Sequence, residues 1–147
     1  MKSNERKKQK GLDILNQKKF NMYHSVIIEE SLENPRVLKN YKILRTRFVP
    51  GKNWHLDIIE IPRSIDEAIK EIQEATVADK PYYFHIYDEG KTLIVVFKDK
   101  IFHLDPNNQL TWQEAREYGA SELNIPPDQL DFSPSKISKE EQWYRKD

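Results

Sequence analysis

The chain has 147 residues, the size of one ordinary globular domain, and its 24 Lys/Arg are balanced by 24 Asp/Glu. Zero net charge argues against a uniformly basic nucleic-acid binder or an acidic solvating chain, and 11% aromatic residues argue against disorder although one third are charged. The lack of cysteine excludes a disulfide framework, thiolate metal sites and cysteine nucleophiles, and fits a cytoplasmic location.

No apolar run approaches the roughly 18 residues of a membrane-spanning helix, so no membrane partner is expected. The opening MKSNERKKQK lacks the apolar stretch that follows the basic region of a secretory signal. The neutrality is a cancellation. Residues 1–24 carry Lys2, Arg6, Lys7, Lys8, Lys10, Lys18 and Lys19 against Glu5 and Asp13, a net of +5, and residues 25–147 carry −5. This basic arm reads either as a solvated terminus or as an electrostatic arm reaching for phosphates, with Lys2, Arg6, Lys7, Lys8 and Lys10 at its head. Leu12, Ile14, Leu15 and Phe20 make an interrupted apolar stripe within it, enough for a short helix at most.

Further along, the β-branched run His24–Glu30 predicts a strand, and Asn34-Pro35 predicts a helical turn with asparagine as cap and proline at the first helical position. Tyr41–Val49 splits by parity into a strand that places Arg45 and Arg47 on one face. Pro50-Gly51-Lys52-Asn53 is turn chemistry leading into a strand over Trp54–Ile61. Ser64 and Glu67 have capping-box spacing, and Ile65, Ala68, Ile69 and Ile72 form one apolar stripe, so a helix should run to residues 75–78. Tyr82–Tyr87 and Thr92–Phe97 predict a hairpin across Asp88-Glu89-Gly90-Lys91, and TLIVVF, apolar on both faces, reads as the central strand. Lys98-Asp99-Lys100 turns into a further strand, Ile101–Leu104, completing an antiparallel meander. Thr111 and Glu114 repeat the capping-box spacing ahead of a second helix over Trp112–Leu123, whose Gly119 would let it lie close to the sheet. Asn124 is a left-handed cap before Ile125-Pro126-Pro127, and Ser133–Asp147, with a weak cap at Ser138 and Glu141, is polar enough to fray. The expected architecture is one α+β domain over residues 25–132, an antiparallel sheet of four or five strands with two helices packed on one face. A basic arm (residues 1–24) and a charged tail (133–147) flank it.

The chemistry-bearing motifs are sparse. The glycines (Gly11, Gly51, Gly90, Gly119) are too dispersed for a phosphate cradle, no HExxH or G-x-S-x-G is present, and no Ser/His/Asp set stands out. No catalytic residue, metal ligand or cofactor is therefore assigned. Two His-x-Asp pairs, His55/Asp57 and His103/Asp105, would supply metal ligands or an acid–base pair if their strands were adjacent, and are otherwise ordinary residues of a solvent face. In Tyr82–Tyr87, the parity that leaves Phe84 and Ile86 for the helices puts Tyr83, His85 and Tyr87 on the other face. Aromatic rings on a strand make a stacking platform for single-stranded bases, with Arg45 and Arg47 as phosphate contacts if they share that face; the competing reading is a face covered by one of the tails. Trp143 and Tyr144, large rings in a charged tail, would either pack back on the domain or anchor a partner or second copy.

The stretches SLENPRVL (Ser31–Leu38), YYFHIYDEGKTLIVVFKDKIFHLD (Tyr82–Asp105) and AREYGASELNIPPDQLDF (Ala115–Phe132) resemble small bacterial proteins of unassigned function. The shared features are the aromatic strand, the IVVFKDKIFHLD hairpin and the YG…IP…QLDF ending. That resemblance supports the domain limits and carries over no site residue. The expected role is a non-enzymatic binding or accessory module acting through contacts with another protein or a second copy. The alternatives are a single-stranded nucleic-acid binder using the arm and the aromatic face, and, more remotely, a metal-dependent or hydrolase-type enzyme.

Overall fold

A computed structural model describes residues 22–62 and 64–146; the arm residues Lys2, Arg6, Lys7, Lys8 and Lys10, and the short helix expected near them, lie outside these. Strands β1 (Tyr23–Ile28), β2 (Ile43–Val49), β3 (Trp54–Ile61), β4 (Tyr83–Tyr87), β5 (Leu93–Phe97) and β6 (Ile101–Leu104) match the predicted runs in place, except that the first ends at Ile28 and Glu29–Ser31, expected to begin in strand, makes a helical turn. They form one six-stranded antiparallel sheet in the order β2-β3-β1-β4-β5-β6, so the expected four or five strands fall short. All six predicted runs join one sheet because β1 docks between the β2–β3 hairpin and the β4–β5–β6 meander. Ser25 pairs with Ile59 on one side and with Ile86 on the other.

Two apolar layers cover this sheet, one on each face. Helix α1 (Ile65–Ala75) and the helical turn Pro35–Asn40 lie on one side. There Val37, Leu38, Ala68, Ile69 and Ile72 meet Ile27, Ile59, Ile61, Ile86, Ile94 and Val96. Helix α2 (Gln113–Glu122), the stretch through Phe132 and the short helix α3 (Glu140–Arg145) lie on the other. Their Trp112, Ala115, Ile125, Leu130, Phe132 and Trp143 meet Val26, Ile58, Tyr87, Leu93, Val95 and Phe97. The two long helices are thus on opposite faces, which corrects the one-face expectation. The reason is legible in β5: Leu93, Val95 and Phe97 on one parity and Ile94 and Val96 on the other are all buried, and a strand apolar on both faces must be covered on both. β5 lies beside the β6 edge; the middle of the sheet is the β1–β4 pair.

Local signals fare unevenly. Asn34 accepts from the Arg36 N–H with Pro35 next to it, and Asn124 takes a left-handed φ of 55°. In the β4–β5 loop, Asp88 Oδ1 accepts from the N–H of Lys91 and Thr92 at 2.8 Å each, and Gly90 takes a φ of +94°. Neither capping box forms. Ser64 occupies the cap position of α1 without a side-chain hydrogen bond. The Thr111 hydroxyl instead donates to the Asn108 carbonyl, and Asn108 caps the turn that precedes α2 through the Leu110 N–H. Amphipathic burial, rather than capping, specifies these helices. A Cβ at Gly119 would stand 2.8 Å from Leu130 Cδ2 and 3.3 Å from Phe97 Cε1, so α2 approaches the core as closely as only glycine permits.

The segment after Phe132, polar enough in sequence to fray, packs back on the domain. The Ile137 N–H donates to the Asp88 carbonyl at 3.2 Å and the Ser138 N–H to Glu89 Oε2 at 2.7 Å, which carries the chain back over the sheet into α3. Trp143 is then 9% exposed. Among the described residues no helix is long and apolar enough to cross a membrane.

Candidate functional site

The antiparallel register puts Tyr83, His85, Tyr87, Arg45 and Arg47 on one face. Val26 lies opposite both Ile58 and His85, Arg45 opposite Ile58, and Arg47 opposite Leu56. The parity of β2 and β4 thus anticipates which side chains share a surface. It does not anticipate that this surface is closed: Tyr87 is fully buried and His85 is 4% exposed.

The cover is the chain's own C-terminal segment. The Tyr83 hydroxyl donates to the Gln129 carbonyl, and His85 donates its Nε2–H to the Pro134 carbonyl at 2.8 Å. Glu140, on α3, accepts from the Tyr87 hydroxyl at 2.5 Å and faces His24 Nδ1 at 2.6 Å through the same oxygen. Burial, and then the Glu140 charge, pushes the Tyr87 hydroxyl far above its ordinary pKa, so it stays a donor.

The two arginines and the two tail aromatics meet one another. The Arg47 guanidinium lies 5.3 Å from the centre of the Trp143 ring and donates to the carbonyls of Trp143, at 3.0 Å, and of Lys146. The Trp143 carbonyl also accepts the Lys146 N–H at 3.2 Å, so Arg47 adds a second donor to it and ties the last turn of α3 and the residue after it to β2. Arg45 lies 4.5 Å over the Tyr144 ring and pairs with Glu141 at 2.5 Å. These cations hold α3 to the sheet. As placed, Tyr83, His85 and Tyr87 are not rings displayed to solvent, and Arg45 and Arg47 are already engaged.

The closure leaves a cavity of about 160 Å3 at the β1–β3–β4 end of this face. Its walls include Val26, Trp54, Leu56, Tyr82, Tyr83, His85 and Trp143, with Gln129, Asp131 and Ser133 as polar members. Trp54 and Tyr82 meet edge to face at 6.0 Å. His85 is neutral at physiological pH: burial drives its pKa down to about 4, against the weaker upward pull of the Pro134 carbonyl and the Asp131 charge. The Tyr83 hydroxyl is pushed above its ordinary range, by burial first and by Asp131 next.

Ser133, His85 and Asp131 have the composition of a hydrolytic triad, but not its geometry. The His85 Nε2–H is committed to a carbonyl, and the Ser133 hydroxyl makes no hydrogen bond to His85 among the described residues. An imidazole with a pKa near 4 is also a weak general base at neutral pH. The His-x-Asp pairs do not combine either, because β3 and β6 are four strand steps apart, about 19 Å. No sequence pattern marks Trp54 and Tyr82 as walls of this cavity. Trp54 shares its parity with Leu56 and Ile58, but nothing local reports that β1 pairs with β3 on one side and β4 on the other. No protein-family model, curated protein or solved structure matches the chain.

Proposed function

We propose that this protein is a non-enzymatic binding module that takes one aromatic side chain of a partner protein into the cavity between β1, β3, β4 and the C-terminal segment. The observation that carries this reading is the cavity's size together with its walls. At about 160 Å3 it matches the volume that holds a single benzene-sized ring, about 150 Å3, and falls below the roughly 300 Å3 at which pockets for whole small ligands begin. A lone ring offers too few atoms for tight binding, whereas a ring carried on a protein surface adds the surrounding contacts, as interface anchors do. Trp54, Tyr82, Tyr83 and Trp143 supply apolar and edge contacts, and neutral His85 adds no buried charge that the guest would have to neutralise.

The test is an NMR titration of the full chain with N-acetyl-phenylalaninamide and N-acetyl-tyrosinamide, following the indole N–H signals. Saturable shifts are expected at Trp54 and Trp143, which line the cavity, with Trp112 unmoved and N-acetyl-alaninamide inert. Leu56→Trp, which fills the space from its wall, should abolish the response. No saturable shift with either aromatic amide, or an equal shift in the filled variant, overturns the proposal.

A further inference from the structure

On the opposite face of the sheet, where β1 ends, the chain makes a helical turn at Glu29–Ser31 that brings two carboxylates against β3. Glu30 Oε1 accepts from the His55 backbone N–H at 2.6 Å, and Glu30 Oε2 stands 2.7 Å from His55 Nδ1. One ligand-type atom from each of Glu29, Glu30 and His55 lies within 4.8 Å of the others. In a coordination sphere with bonds near 2.1 Å, neighbouring donors sit about 3.4 Å apart, so small side-chain movements would close this set around an ion.

A second, independent feature points into the same place. Asp57, two residues along β3 on the face of His55, is fully buried. Its Oδ1 accepts from the Thr46 hydroxyl at 2.6 Å, whereas Oδ2 is buried with no hydrogen-bond partner among the described residues. Its carboxyl lies within hydrogen-bonding reach of the half-buried Glu29 carboxyl, so two groups that can only accept when ionised meet at the inner edge of the cluster. Such a pair needs a positive charge or a shared proton between its members.

We propose that Glu29, Glu30 and His55 bind a divalent transition-metal ion of the zinc or manganese class, with Asp57 behind them as the buried carboxylate that orients Glu29 and balances the charge. Imidazole together with carboxylates suits these ions, whereas calcium and magnesium prefer all-oxygen shells. The site is structural in position: it ties the turn after β1 to β3, and it lies across the sheet from the aromatic cavity, so either proposal can fail without the other.

The test uses the full chain in calorimetric titrations with zinc chloride and manganese chloride, with calcium and magnesium chlorides alongside. Melting curves of the unliganded variants check that each is folded. Saturable binding of zinc or manganese is expected, with a rise in melting temperature. Glu29→Gln and His55→Gln should abolish or strongly weaken it, and Asp57→Asn, acting through Glu29, should lower affinity roughly 10- to 100-fold. His103→Gln, on the far edge of the sheet, should leave it unchanged. A proton shared between Glu29 and Asp57 is the competing arrangement, and it predicts no heat from any of the metals and a Glu29→Gln variant at least as stable as the parent chain. That result overturns the proposal. So does zinc binding that survives in both Glu29→Gln and His55→Gln, and so does a preference for calcium or magnesium.

Discussion

His85 shows how an ordinary sheet residue becomes a pH-dependent contribution to stability once it is covered. Unfolded, an imidazole titrates near 6.5; folded, burial holds this one near 4. Between those values the unfolded chain binds more protons. The stability gained from a neutral His85 is therefore complete above about pH 6.5 and is lost as the pH falls toward 4. At 1.36 kcal/mol per unit the loss is about 3 kcal/mol. His85→Gln, which keeps a donor for the Pro134 carbonyl and does not titrate, should remove that slope in urea denaturation series run from pH 7 to pH 4. Other titrating groups, Glu29 among them, are common to both chains and cancel in the difference. Coincident pH profiles for the two proteins would show that His85 is not held neutral. The face of His85 is readable from the alternation of Tyr83, His85 and Tyr87; its environment is not, because that depends on residues nearly fifty positions away.

At the level of elements, the C-terminal segment decides what the aromatic face can do. A polar stretch containing Trp143-Tyr144 states a local contradiction, and packing back on the domain resolves it. Which side chains receive the rings cannot be read from spacing, since Arg45 and Arg47 are about a hundred residues away and on an isolated strand they are equally suited to phosphate. If α3 is held as the contacts indicate, Trp143→Ala should cost about 3 kcal/mol, the scale of truncating a buried large aromatic. Arg47→Ala should cost about 1–2 kcal/mol through its carbonyl hydrogen bonds. Because the two side chains share one contact, their effects should fall short of additivity by about 1 kcal/mol in a double-mutant cycle. Strict additivity in urea denaturation would show that they act independently.

For the whole molecule, the order β2-β3-β1-β4-β5-β6 makes β1 the join between a hairpin and a meander. β4 and β5 are covered on both faces, while β2 is an edge strand with Ile43 44% and Phe48 49% exposed. Native-state hydrogen exchange should therefore find the slowest amides at Ile27, Ile86 and Ile94–Val96, with β2 exchanging earlier through local opening. Equal protection of β2 and β5 would contradict a stability gradient from centre to edge. Strand positions, the faces of Phe84 and Ile86, the β4–β5 loop and the stripe of α1 all follow from neighbours within one or two turns of chain, because period and turn chemistry are local properties. The insertion of β1 between β3 and β4 and the Glu29–Glu30–His55–Asp57 cluster follow from pairings across about thirty to sixty residues, and the cavity from contacts with the C-terminal segment about fifty to more than a hundred residues away. Those pairings are chosen by burial summed over the whole sheet, and no short stretch of sequence carries that sum.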